Sequence, residues 1–122
     1  MMENCFADKS DLTWHDGMSC LNEGRFNAAA SRLYYAVFQA IYGFAIQRDL
    51  MAMDSSEPGR HRTAIRIAGG HGRHPREARE AVSMLYELRV KADYRPEDVD
   101  EPDLRDVLDK ANRTRQYFAR CL

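Results

Sequence analysis

Apolar residues recur at steps of three and four along one long segment in the first half of the chain. Between Ala30 and Ala45 they include Leu33, Tyr34, Val37, Phe38, Ile41 and Phe44. This spacing keeps them on one face of an α-helix and predicts a long, mostly buried helix behind Asn27, a favoured N-cap residue. Gly43 costs such a helix about 1 kcal/mol relative to Ala, which fits a close crossing by another helix.

Similar periodicity, with turn and cap signals between the segments, predicts further helices. The predicted segments are Asp11 to Glu23, closed by Gly24; Arg60 to Ala68; Pro75 to about Tyr94; and a last helix capped by Asp100. No segment alternates as a strand does between turn signals. We therefore predict an all-α fold, an antiparallel up-down bundle of four to five helices, with residues 1–122 forming one domain.

Length and composition exclude several classes of protein. A chain of 122 residues with 44% hydrophobic and 30% charged residues can bury one modest core and is not typical of disorder. The most apolar stretch, Leu33 to Ile46, is too short to span a bilayer, and the N-terminus lacks a secretory signal. Three scattered cysteines favour reduced thiols, so we expect a cytoplasmic protein without a membrane partner.

Charge is distributed unevenly although the net charge is only −1. Residues 59–79 contain six arginines and one acid, and residues 93–110 contain eight acids and three basic residues. One interpretation is that both blocks are solvated surfaces whose charges balance each other. The other is that the arginine-rich block, residues 59–79, is a positively charged surface that binds phosphate groups. The sequence leaves both interpretations open for the arginine-rich segment.

Signatures of common enzymes are missing. The chain has no GxGxxG, P-loop, GxSxG or HExxH motif. His61, His71 and His74 lie in or near a glycine-rich connection, but their spacing supplies no complete zinc ligand set. We therefore predict no metal and no cofactor, and the catalytic residues, if there are any, stay unknown.

Polar residues interrupt two apolar helices, and they are the candidates for a binding site. Ser31 and Arg32 lie within the long helix, and Arg89 precedes Asp93 by four residues near the end of a later helix. Residues four apart share one helix face, so Arg89 and Asp93 can pair. The candidate residues for binding phosphate or RNA are Arg89, Tyr94, Arg32 and Asp93, and the alternative is an ion pair that locks two helices.

Two motifs resemble those of the HEPN domain family. The first is Asn27-Ala28-Ala29-Ala30-Ser31-Arg32-Leu33-Tyr34-Tyr35-Ala36-Val37-Phe38, and the second is Leu85-Tyr86-Glu87-Leu88-Arg89-Val90-Lys91-Ala92-Asp93-Tyr94. The resemblance runs from about Leu12 to Phe118. It implies an antiparallel helical bundle that forms a homodimer, often beside a small nucleotidyltransferase in a toxin-antitoxin pair.

The resemblance also implies what this chain lacks. Ribonuclease members of the family use an arginine followed about five residues later by a histidine. Arg89 matches the arginine, but Tyr94 occupies the histidine position. A tyrosine stays protonated near neutral pH and is a poor general base. A tyrosine that accepts nucleotidyl groups in some members is replaced here by Pro96.

Three functional hypotheses follow. The first is a non-catalytic protein that binds a nucleotide or RNA phosphate through Arg89 and Tyr94 and acts with a nucleotidyltransferase. The second is a metal-independent ribonuclease toxin whose base comes from His61, His71 or His74. The third is a purely structural subunit, in which Arg32, Arg89 and Asp93 are satisfied internally.

Overall fold

The computed structural model describes residues 5–50 and 60–120. They form five helices: α1 (Cys5–Asn22), α2 (Phe26–Gln47), α3 (Arg60–His71), α4 (Pro75–Tyr94) and α5 (Glu101–Arg120). No strand occurs in these ranges. The prediction of an all-α bundle is confirmed, and α2 is its central helix because it packs against the other four.

The core forms where the apolar face of α2 meets its neighbours. Its largest fully buried side chains include Leu33, Ile41, Leu85, Leu104 and Phe118. None of the described helices is long and apolar enough to cross a membrane.

Glycines permit two local features of the bundle. Gly24 has a φ of 78° and ends α1 in a Schellman motif, in which Arg25 N donates to Cys20 O at 2.9 Å and Gly24 N donates to Leu21 O at 3.1 Å. A Cβ atom on Gly17 would lie 2.7 Å from Leu33 Cδ2, so this glycine allows α1 to approach α2 closely.

Several predicted boundaries move. α1 begins at Cys5, six residues before the predicted start, and α3 continues through two glycines to His71. Asn27 is not the N-cap of α2, because Arg25 takes that position. Asn27 lies inside the helix, where its Oδ1 accepts a hydrogen bond from Val99 N and its Nδ2 donates to Asp98 Oδ1, both at 2.9 Å. That prediction was wrong because the amide is used for a tertiary contact.

Candidate functional site

Arg89 and Asp93 form the predicted pair near the end of α4. Arg89 Nε lies 3.5 Å from Asp93 Oδ2, and the two side chains are 19% and 36% exposed. The other carboxylate oxygen, Asp93 Oδ1, accepts a hydrogen bond from Ser31 Oγ at 2.9 Å. Asp93 therefore joins α4 to α2 while it partly neutralises Arg89.

Two tyrosines of α2 flank the Arg89 guanidinium. Its Cζ lies 5.1 Å from the ring centroid of Tyr35 and 5.6 Å from that of Tyr34. Both distances lie within the range of cation–π attraction. Tyr34 is buried, whereas Tyr35 is 40% exposed and forms the outer wall of the site.

His61, from the first turn of α3, completes this cluster. Its Nδ1 lies 3.1 Å from the hydroxyl oxygen of Tyr34. Its ring stacks on Tyr86, with centroids 3.4 Å apart and planes inclined by 15°. Among the three histidines considered from the sequence, His61 is the one that the fold brings to Arg89.

Burial sets the protonation of the two hydrogen-bonded rings. The pKa of His61 is lowered below its usual 6.5, first by burial and then by the positive charges of Arg89 and Arg62. Burial raises the pKa of Tyr34 above its usual 10, although Arg89 opposes that effect. At neutral pH the cluster therefore contains a neutral imidazole, a protonated phenol and a charged guanidinium.

The hydrogen-bonding capacity of Arg89 is largely unused. Its buried Nε has no hydrogen-bond partner, because the contact with Asp93 is an ion pair without hydrogen-bond geometry. No hydrogen bond joins its two Nη groups to any residue in the described ranges. Because Nε is buried, the Nη donors are the ones that remain for an anionic ligand.

The other candidate residues lie apart from this cluster. The ring of Tyr94 is 73% exposed and packs against no other aromatic ring of the described chain. Five residues of α-helix turn the chain by about 140° beyond one full turn, so Tyr94 projects from a different side of α4 than Arg89. Arg32 is exposed, and no described carboxylate pairs with it.

The other two histidines, His71 and His74, lie at the junction of α3 and α4. The His71 ring centroid lies 5.7 Å from that of Phe44, and His74 is the N-cap residue of α4. In the part of the chain that the structure describes, no group of three or more histidine, cysteine or acidic side chains is placed to hold a metal ion.

The acids inside and just after the arginine-rich segment, Glu77 and Glu80, pair with basic residues of α5, and of the segment's own arginines Arg76 pairs with Glu80. Arg113 Nε lies 2.6 Å from Glu77 Oε1, and Lys110 Nζ lies 3.1 Å from Glu80 Oε2. Arg76 also pairs with Glu80, and the hydrogen bond from Lys110 is the main cause of the lowered pKa of that carboxyl. The acids inside or beside the block therefore connect α4 to α5.

The sequence did not single out His61 over its neighbours or include Tyr86 in the site. His61 and Arg89 are 28 residues apart, and no periodicity relates two helices separated by a loop. The available signal was positional: of the three histidines, His61 is the one that lies in the first turn of a predicted helix.

The two segments whose motifs we compared with a known family contact each other. Ser31, Tyr34 and Tyr35 from the first motif meet Asp93, Tyr86 and Arg89 from the second. No curated protein and no solved structure matches the chain. The family model described as the HEPN domain matches residues 8–121. Because that match covers nearly the whole chain, the protein belongs to the HEPN domain family.

Proposed function

We propose that the chain binds a phosphate group of a nucleotide or of RNA at Arg89, as a non-catalytic component that works with a small nucleotidyltransferase in a toxin-antitoxin pair. The observation that carries the proposal is the Arg89 guanidinium, which is partly exposed, flanked by Tyr35, and free of hydrogen bonds to described residues. The partner enzyme and the homodimer rest on family membership.

The composition of the cluster favours a nucleotide over a simple anion. Arginine presents several donors in a planar fork that matches phosphate oxygens. The exposed ring of Tyr35 lies beside it and offers a surface on which a base can stack, an interaction worth about 1–3 kcal/mol per base. Phosphate and base are thus recognised by adjacent groups, and the exposed Arg32 and Tyr94 are available for further contacts to the ligand or a second protomer.

Calorimetric titration with AMP and with a short oligoribonucleotide tests the proposal. Arg89→Ala should abolish the binding heat, whereas Arg105→Ala should preserve it. Arg105 is a matched control because it also pairs with an acid four residues away, Glu101, at 2.7 Å. Indistinguishable heats from wild type and Arg89→Ala would end the proposal.

A second candidate, the metal-independent ribonuclease, is favoured by the position of His61. When Nδ1 donates its proton to the Tyr34 oxygen, Nε2 carries the lone pair that a general base needs. The lowered pKa of His61 keeps that base unprotonated at neutral pH. Its Nε2 would take the proton of a ribose 2′-hydroxyl, whose oxygen then forms a bond to phosphorus as the P–O5′ bond breaks, while Arg89 holds the phosphate. The departing 5′-oxygen takes a proton from water and leaves as a hydroxyl, and the imidazolium returns its proton to solvent.

Incubation of RNA with the pure protein in a chelator separates the two candidates. A ribonuclease gives products ending in a 2′,3′-cyclic phosphate, and His61→Ala removes the cleavage while His15→Ala, at an exposed histidine of α1, retains it. Intact RNA with the wild-type protein leaves the binding role and excludes the nuclease.

A further inference from the structure

A separate cavity lies between the start of α4 and the last turns of α5. Its volume is about 170 Å³, and Arg73, Arg113 and Arg120 all line it. Along α4, the lining residue Glu77 is 12 residues before Arg89, which corresponds to about 18 Å at 1.5 Å per residue. The cavity is therefore distinct from the Arg89 cluster.

The cavity carries an excess of positive charge. Among the described residues that line the cavity, Glu77 is the only acid, and the ion pair with Arg113 already occupies its carboxylate. Arg73 and Arg120 have no ion-pair partner within residues 5–50 and 60–120. Two arginine charges consequently face the cavity without a compensating anion from the described residues.

The walls of the cavity are packed into the bundle. Phe118 is fully buried and its ring contacts Phe44, with centroids 4.9 Å apart. The hydroxyl of Tyr117 donates to His71 O at 3.2 Å. A Cβ atom on Gly72 would lie 2.6 Å from Ala68 O, so the tight turn that presents Arg73 depends on glycine. Packing and hydrogen bonds therefore hold the backbone that carries Arg73 and Arg120.

We propose that this cavity, formed around Arg73 and Arg120, binds the terminal phosphate group of a phosphorylated ligand. Small-molecule sites usually have volumes of about 300–1,000 Å³, so this smaller cavity takes a phosphate group and not a whole nucleotide. The rest of the ligand extends into an adjoining open cavity of about 560 Å³, which shares Arg73, His74 and Glu77 with the first. Arginine is suited to this role because its donors match phosphate oxygens in pairs.

Titration with inorganic pyrophosphate at low ionic strength tests the site. We expect Arg73→Ala/Arg120→Ala to weaken binding at least tenfold. The control Arg25→Ala/Arg105→Ala removes the same charge from two exposed arginines outside the cavity, and it should change the affinity by less than twofold. Far-UV circular dichroism checks that both variants keep the helical fold.

Arg89→Ala distinguishes this site from the proposed nucleotide site. Pyrophosphate binding that persists in Arg89→Ala and disappears in Arg73→Ala/Arg120→Ala supports a second site, whatever becomes of the proposed function. No binding to wild type, or equal binding to wild type and Arg73→Ala/Arg120→Ala, would overturn the inference.

Two sources of the phosphate group remain, a free nucleotide and the end of an RNA strand. Titrations in the Arg89→Ala background with ATP, and with one short RNA carrying either a 5′-phosphate or a 5′-hydroxyl, distinguish them. Tighter binding of the phosphorylated strand indicates an RNA end, and binding of ATP alone indicates a nucleotide. In both cases the effect must vanish in Arg73→Ala/Arg120→Ala.

Discussion

Asp93 competes with any anion that approaches Arg89, so removing its charge should strengthen binding. Asp93→Asn retains an oxygen that can accept the hydrogen bond from Ser31 and deletes the carboxylate that lies 3.5 Å from Arg89 Nε. Two unit charges at that separation attract by about 1 kcal/mol in water, the limit suited to a carboxylate that is one-third exposed. AMP should therefore bind about fivefold to tenfold tighter, since 1.4 kcal/mol corresponds to a factor of ten.

Calorimetry on Asp93→Asn, with Glu101→Gln as the control, measures this gain. Glu101 is the acid of an equivalent pair with Arg105, so its neutralisation changes the net charge equally without touching the site. In chemical denaturation, Asp93→Asn should lower the free energy of unfolding by less than about 1 kcal/mol, because such exposed ion pairs contribute little to stability. An unchanged or weaker affinity in a folded Asp93→Asn protein would refute the reasoning and favour a purely structural role for Asp93, which joins α4 to α2 through Ser31.

Two further predictions concern the bundle and its pH dependence. Gly17→Ala should lower the free energy of unfolding by about 1–3 kcal/mol because its Cβ would overlap the fully buried Leu33, whereas Gly70→Ala, with open space around it, should cost nothing in the same denaturation assay. The pKa of His61 is lower in the folded protein than in the unfolded chain, so protonation of this side chain favours unfolding. The contribution of neutral His61 to the free energy of unfolding is complete above about pH 6.5 and is lost as the pH falls below that value. Denaturation midpoints against pH should vary less in His61→Gln than in wild type or in His15→Gln, and parallel curves for all three proteins would contradict the assignment.

The sequence predicted the helices well and their tertiary roles less well. Apolar periodicity and punctuation by Pro75 and Gly24 located the start of α4 and the end of α1, because those signals act within a few residues along the chain. Gly69 and Gly70 suggested an end to α3, yet the helix continues. Gly69 instead serves the packing of α3 on α4, since a Cβ atom there would lie 2.7 Å from Cδ of Arg79.

The candidate site was predictable only in part. Arg89 and Asp93 pair because their spacing within one helix fixes their relation. Tyr94 was grouped with them by the motif, but helical geometry directs it elsewhere. His61 joins Arg89 through the packing of α3 against α4, a relation between separate helices that local patterns do not encode. Asn27 illustrates the same limit, because an amide that can cap a helix can equally bind a distant loop.

The contacts made by Asn27, Ser31 and Tyr35 have a shared consequence. These residues are spaced four apart along α2, and they bind in turn the segment after α4, Asp93 and the Arg89 guanidinium. Three residues on one face of α2 thus contact the end of α4 and the segment after it at three successive helical turns. Insertion of one residue between Ala28 and Ala30 would rotate Asn27 about the helix axis by about 100° relative to Ser31 and Tyr35. The alignment of α4 beside α2 therefore requires that these three residues keep their spacing of four along α2. The geometry of the anion site thus depends on regular α-helical structure in the central helix.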